Sequence, residues 1–261
     1  MVNPTIYQHF RAEERPLVDE FMALIAQAQT EYRPILTHFL NPRERYIIQT
    51  LLGNSDELKL EARGGYLAAE RKRMLIFPSY YEPQASDFEV TPLEISYPQK
   101  FAELSHGQIL GTLVNSGLNR NVIGDIITDG ERWQVFTQTN MKDYFQSQIE
   151  RIAKIKVKLV ELDPAQVIEP LDEWQQASIT VTSLRLDAII ASCYHISRQR
   201  VKELIKSRKV QLNWMLIEKA DYTLDSYDII SVRGHGRIRL DEVLGTSKKG
   251  KLRLGVSILG K

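Results

Sequence analysis

Cysteine is almost absent from this 261-residue chain: Cys193 is the only one. A single thiol excludes an intramolecular disulfide and a cysteine-built zinc site. The histidines, His9, His38, His106, His195 and His235, show no metal-ligand spacing, so neither a metal nor another cofactor is expected. No G-x-G-x-x-G follows a strand-like run, which argues against a nucleotide-binding methyltransferase fold. No apolar run approaches the length of a membrane span, and the first twenty residues lack a signal-peptide core. No membrane partner is expected, and a reducing cytoplasm suits such a chain. Low-complexity tracts and internal repeats are missing as well. With 43% hydrophobic and 26% charged residues, the composition is that of an ordinary soluble protein. The length suits about two domains, or three small ones.

Net charge is also nearly absent, at +1, but the neutrality conceals an asymmetry. Residues 181–261 hold 16 Lys+Arg against 8 Asp+Glu, and residues 1–180 hold 18 against 25. A basic C-terminal third on an acidic body would turn one face to a polyanion.

Within that third, two short amphipathic helices are predicted. On the first, Leu186, Ile189, Ile190 and Cys193 share an apolar side, with Ser183 as the expected N-cap. On that side Cys193 is expected to be a buried structural thiol. On the second, Val201, Leu204 and Ile205 form the apolar side, and Ser197 is the expected cap. Arg198, Lys202, Lys206 and Lys209 fall within an arc of roughly 80° at helical spacing. No acidic residue stands four positions away to neutralise this stripe. Arg208, Arg233, Arg237 and Arg239 add further cations. Gly234-His235-Gly236-Arg237 brings two glycines into a basic run, which suits close approach of backbone to phosphate.

Upstream, residues 4–52 read as about three helices divided by Pro34 and Pro42, with Asn41 capping the last. Strands are expected at residues 58–61 and 74–77, and a linker at 78–92. Residues 93–162 then follow a βαββαβ rhythm: strands at 93–97, 122–128, 133–138 and 156–161, helices at 102–116 and 142–153. That order suggests a ferredoxin-like sheet of the kind RNA-recognition motifs use. The aromatic RNA-stacking signature of those motifs is missing, so a scaffold or protein-contact role is expected there. A second linker is expected at 164–177. Residues 251–259 alternate in strict period two, as a half-buried strand does, after a basic turn at Lys248-Lys249-Gly250.

The stretch from Ser183 to Asn213 resembles the small RNA-binding module named after ribosomal protein S-four. The matching residues are Arg185-Leu186-Asp187, Ser197-Arg198, Leu204-Ile205, Val210 to Asn213, and the run from Asp228 to Arg237. Two departures are Arg208 and Tyr227, where the module usually offers glycine. The whole order of parts resembles the YlmH family. Outside the RNA module that likeness rests on Asn41-Pro42-Arg43-Glu44, on Gly64-Gly65-Tyr66 with Ala69-Glu70-Arg71, and on Gly124-Asp125-Ile126.

The expected fold is therefore α+β in three parts: a mostly helical domain at 1–85, a ferredoxin-like, RRM-like domain at 93–163, and an S-four-type α/β domain at 181–261. The resemblance implies binding of ribosomal RNA on large ribosomal subunits blocked by peptidyl-tRNA, with tRNA as a further partner. The residues assigned to RNA are the helix-two cations with Arg208 and Lys209, then Arg185, Ser197 and Asn213, then Arg233, His235, Arg237 and Arg239. Arg185-Leu186-Asp187 repeats a tripeptide that carries the catalytic aspartate in many pseudouridine synthases. Inside a helix of the RNA module it is expected to be structural. Asp125 and Asp129 are expected at turns, and Arg71-Lys72-Arg73 on a solvated edge. No small-molecule substrate is expected, and the reading is of a binder. The alternatives are an RNA-modifying enzyme with its site in the middle domain, or a cell-division adaptor.

Overall fold

The computed structural model describes residues 7–8, 10–171, 174–213, 215–247 and 249–260. They mix helix and strand, and they divide into two compact units, residues 1–171 and 172–261. His9 and Lys248 lie outside the described residues.

The first unit begins with α1 (Arg15–Glu31), β1 (Ile35–Leu40), α2 (Pro42–Leu52), β2 (Leu58–Arg63) and β3 (Lys72–Pro78). The strands form an antiparallel sheet in the order β1-β3-β2. Val18, Phe21 and Ala28 of α1 and Ile47 and Ile48 of α2 pack against Met74 and Ile76 of β3. The helical reading of residues 4–52 fails at β1. Pro34 and Pro42 fence off a segment too short to nucleate a helix alone; it pairs with β3, burying Ile35 against the helices and, past an irregularity after Leu36, Phe39 on the other side. α2 starts as expected: the Asn41 side chain accepts from the Glu44 N–H, and the Glu44 carboxylate accepts from the Asn41 N–H.

After a 3-10 turn (Ala85–Phe88) the chain enters β4 (Val90–Ser96), so the expected linker at 78–92 ends in a strand. Then come α3 (His106–Asn115), β5 (Ile123–Thr128), β6 (Trp133–Gln138), α4 (Lys142–Gln148), β7 (Arg151–Ile152), β8 (Ile155–Lys156) and β9 (Lys158–Glu161). α4 stops earlier than periodicity suggested, and the residues after it form the β7–β8 hairpin. The four long strands lie in the order β5-β6-β4-β9, every neighbouring pair antiparallel. One sheet face packs Leu93, Ile95 and Val135 on Ile109 and Leu113 of α3 and Phe145 of α4. The other packs Ile127 and Phe136 against Phe39 of β1, with Tyr66 at the rim. Val167 and Ile168, read as linker, join this second cluster.

The motifs at 64–71 and 124–126 meet at this junction. Tyr66 stacks on Phe136 with ring centroids 5.2 Å apart. A Cβ on Gly65 would lie 2.3 Å from Phe136, and one on Gly124 2.8 Å from Phe39. Asp125 sits in β5 rather than at a turn. It accepts from the Tyr66 hydroxyl and from the N–H groups of Glu70 and Arg71. Burial, and then the charge of Glu70, push its carboxyl above the usual range. Arg71 and Arg73, expected on a solvated edge, are instead buried. They donate to the carbonyls of Ile123 and Phe39, and of Thr37 and Phe88. They close the junction and present no cation to a partner. Asp129 does hold a turn, accepting from the Glu131 and Arg132 N–H groups.

The second unit contains β10 (Gln175–Val181), α5 (Leu186–Cys193), α6 (Arg198–Lys206), β11 (Val210–Leu212), β12 (Met215–Leu216), β13 (Ile229–Val232), β14 (Gly236–Thr246) and β15 (Leu252–Leu259). One sheet, ordered β10-β15-β14-β13-β11-β12, carries both helices on one face. β10 begins inside the stretch read as a second linker and pairs along β15 from Gln175 to Val181. Leu186, Ile189, Ile190, Val201, Leu204 and Ile205 meet Val210, Ile230, Ile238, Leu254 and Val256 in a single core. Among the described residues, no helix is long and apolar enough to cross a membrane.

Candidate nucleic-acid interface

The two helices of the second unit are held by different devices. Ser197 caps α6 as predicted, its hydroxyl accepting from the Arg200 N–H at 3.1 Å. Ser183 does not cap α5; the N-cap is Arg185, whose side chain accepts no bond from the helix's first N–H groups. The first free N–H groups of α5 go elsewhere. Leu186 donates to the Tyr222 carbonyl and Asp187 to that of Ala220. The loop after β12 thus supplies the acceptors that a capping side chain normally provides.

Asp187 is fully buried and accepts from two guanidiniums. Arg185 donates through Nε and Nη2 at 3.1 Å each, and Arg198 through Nη2 at 2.7 and 2.8 Å. Burial pushes the carboxyl up, and the two arginines outweigh it and hold it below the usual range. Both guanidiniums remain partly exposed, at 38% and 48%. One carboxylate therefore fixes two cations at the surface where the N-termini of α5 and α6 come together.

Along α6, Lys202 and Lys206 are exposed on the side away from Val201, Leu204 and Ile205. Glu203 is taken by Arg200, whose Nη1 lies 2.9 Å away. Among the described residues, no carboxylate forms an ion pair with Lys202, Lys206, Arg208, Lys209 or Arg233. α6 ends at Lys206, so Lys209 stands beyond the helix and not on its stripe. The helix closes in a Schellman arrangement: Lys209 N–H donates to the Leu204 carbonyl and Arg208 N–H to that of Ile205. Arg208 occupies the left-handed position of that motif at φ 57°, where glycine is usual. Tyr227 is left-handed too, at φ 67°. The turns keep their shape without glycine. Arg233 donates its N–H to the Lys209 carbonyl at 2.8 Å, which brings those two residues side by side at the end of the β11–β13 ladder.

The remaining assigned residues are distributed differently. Asn213 works inside the unit: its amide donates to the Asp228 carboxylate and its carbonyl accepts from the Ile229 N–H. The His235 ring lies 5.2 Å from that of Tyr194, beside the C-terminus of α5. Arg237 and Arg239 alternate with Ile238 and Leu240, which face the helices, so both point from the opposite sheet face. There each guanidinium lies 5.4 Å from the Trp174 ring centroid. The twelve assigned residues therefore make one group around α6 and its C-terminal turn, an Asn213 bonded within the unit, His235 beside the end of α5, and a separate pair behind the sheet. Trp174 escaped the sequence reading because it sits in the segment taken for a linker. The double role of Asp187 was half visible, since the pairing with Arg185 is local and that with Arg198 is not.

Cys193 is buried, and burial alone pushes its thiol up to about 12. Such a thiol is protonated and inert at neutral pH. Among the described residues, no cluster of three or more His, Cys, Asp or Glu could hold a metal ion.

Comparison with known proteins adds three findings. Residues 13–81 match the family model described as "YlmH, N-terminal", and residues 83–166 that described as "Putative RNA-binding domain in YlmH". The chain is 37% identical over 249 residues to the ribosome-associated protein quality control protein P2 of Bacillus subtilis (strain 168), covering 95% of this chain and 96% of that one. It is similar to the solved structure of the cell division protein ylmH from Streptococcus pneumoniae, with 36% identity and a TM-score of 0.54 over 62% of this chain and 99% of that one.

Proposed function

From its membership of the YlmH family, which the chain shares with the Bacillus relative over nearly its whole length, we propose that this protein is a ribosome-associated RNA-binding factor. Its second unit acts as an S-four-type domain that grips structured ribosomal RNA through phosphates. Lys202, Lys206, Arg208, Lys209 and Arg233 supply mobile cations, and Arg185 and Arg198 supply fixed ones. The observation that carries this reading is the unneutralised stripe on α6, continued by Lys209 and Arg233 at the adjacent strand ends. Such a set repels itself unless a polyanion lies against it. The Bacillus relative is named as a ribosome-associated quality control protein, and the target we favour is the stalled large subunit carrying peptidyl-tRNA. On this reading the protein works in the cytoplasm.

The first unit has the strand order of a ferredoxin-like fold from β4 to β9. Although the family model over residues 83–166 is described as a putative RNA-binding domain, we assign this part a scaffolding role rather than base stacking on its sheet, because Phe39 and Tyr66 cover the face that RNA-recognition motifs expose. We also read the protein as a binder and not an enzyme, since both carboxylates a catalytic reading would choose, Asp125 and Asp187, hold neighbouring groups in place.

The test is crosslinking of the protein to RNA in cells with mapping of the sites, combined with ribosome co-sedimentation at moderate salt. Crosslinks from α6 to ribosomal RNA and co-sedimentation with large subunits are expected. A protein that stays in the supernatant and crosslinks to no RNA would rule the assignment out.

A further inference from the structure

The face of the second unit's sheet that turns away from α5 and α6 has its own chemistry. In β10, Ile179 and Val181 enter the core, which leaves Gln176, Ser178 and Thr180 on the reverse face, all exposed. In β15, Leu254 and Val256 enter the core, which leaves Arg253, Gly255 and Ser257. In β14, Arg237 and Arg239 take the same face. The ladders place Gln176 beside Ser257 and Ser257 beside Arg239, so these residues form continuous rows across three strands.

A polar reverse face is ordinary for an antiparallel sheet with one core. Three features set this one apart. An indole, Trp174, stands on it with two guanidiniums at 5.4 Å. Cations dominate: Arg237, Arg239 and Arg253 lie on the face, and exposed Lys249 and Lys251 lie at the tip of the β14–β15 hairpin. The carboxylates here are Asp241 and Glu242. Asp241 is held by Arg239 Nε at 2.6 Å and by the Ser257 hydroxyl at 2.7 Å, and the Glu242 side chain lies against Gly255. An aromatic ring bordered by cations and hydrogen-bonding side chains is what an unpaired nucleic-acid strand requires: stacking for a base and charge for its phosphates. A duplex offers no base face to such a ring.

We propose that this reverse face is a second RNA-binding surface, distinct from the α6 stripe, that takes an unpaired RNA strand. Trp174 stacks with a base, while Arg237, Arg253 and the hairpin-tip lysines meet the phosphates. Arg239, tied to Asp241 and Ser257, holds the indole in place. The inference rests on the RNA-binding reading of the second unit and gives the protein two grips on opposite sides of one sheet.

The full-length protein is titrated with two probes, a fluorescein-labelled twelve-nucleotide oligouridine and a labelled twenty-base-pair RNA hairpin. Both should bind at once, and excess hairpin should leave the oligouridine in place. Arg253→Ala with Lys251→Ala should weaken the oligouridine about tenfold or more and change hairpin affinity less than about twofold. Trp174→Phe should remove most of the fluorescence quenching caused by the oligouridine. Lys202→Ala with Lys206→Ala should show the reverse selectivity. Because Arg253 and Lys251 are exposed, their loss should leave the melting temperature unchanged. Mutual competition between the probes, or equal loss of both in either double variant, overturns the second surface. If the hairpin binds and the oligouridine does not, this inference fails and the RNA-binding reading stands. If neither binds, the RNA-binding reading fails with it.

Discussion

Asp187 has no water to solvate it, and two arginines take the place of that water. Its pKa lies below the ordinary value, so its stabilisation is fully present above the unfolded value of about 3.9 and is lost as pH falls through the folded one. Asp187→Asn should remove about 2 kcal/mol at pH 7, because charge-assisted bonds become neutral ones. It should also flatten the decline of stability below about pH 4. Denaturant titrations at pH 7 and pH 3 measure both effects, and an Asn variant as stable as its parent at pH 7 would show that the clamp is idle. Arg208 and Tyr227 make the opposite case, since each holds a left-handed backbone that suits glycine. Arg208→Gly and Tyr227→Gly should each stabilise the unit by about 1 kcal/mol. Only the first should reduce the salt dependence of RNA binding, by a slope of roughly one. Melting curves and salt titrations of the two variants separate the strain from the charge.

At the scale of elements, α6 divides its labour between two sides. Leu204 is buried, and Leu204→Ala should cost roughly 2–5 kcal/mol through the cavity it leaves. Lys202→Ala with Lys206→Ala should shift stability by no more than about 0.5 kcal/mol and still weaken RNA binding. If about four of the exposed cations meet phosphates, the logarithm of affinity should fall with the logarithm of salt at a slope of roughly −3 to −4. A near-flat titration would contradict the stripe's role. α6 was legible up to its end at Lys206, short of Lys209, because most of what makes it is local: the Ser197 cap, an apolar side at helical spacing, and cations on the other side. β1 was not, because a six-residue segment between prolines becomes a strand through its pairing with β3, a partner more than thirty residues away. The cap of α5 was misread for a similar reason, since its acceptors come from Ala220 and Tyr222. The division of the cations between two faces is a matter of sheet alternation. It becomes visible only once β14 is known to place Ile238 and Leu240 against the helices.

For the molecule as a whole, the charge asymmetry read from the sequence now has structural owners. The net positive charge belongs to the second compact unit, while the first is net acidic and holds a buried polar junction at Asp125. Asp125→Ala would strand the Tyr66 hydroxyl and two N–H donors in a buried site, at about 1–3 kcal/mol for each unsatisfied group. The unfolding transition of the first unit should move down in temperature, while the salt slope of RNA binding stays at its parental value. A variant that loses the salt slope without losing stability would place RNA at the junction after all. Deletion of the gene should leave the modification pattern of ribosomal RNA and tRNA intact by mass spectrometry. One nucleotide modification lost on deletion, and not restored by Asp125→Asn or Asp187→Asn, would turn the binder into an enzyme.

The lone cysteine makes the second unit its own clock. Cys193, the last residue of α5, is buried in the core and protonated, so an alkylating reagent reaches it readily only when that unit opens. With no other thiol in the chain, the rate of label uptake under native conditions counts those openings directly. RNA that binds only the closed form should slow labelling by the factor one plus its concentration over Kd. A stopwatch and a mass shift of one adduct would then report affinity for any RNA, with no dye on either partner.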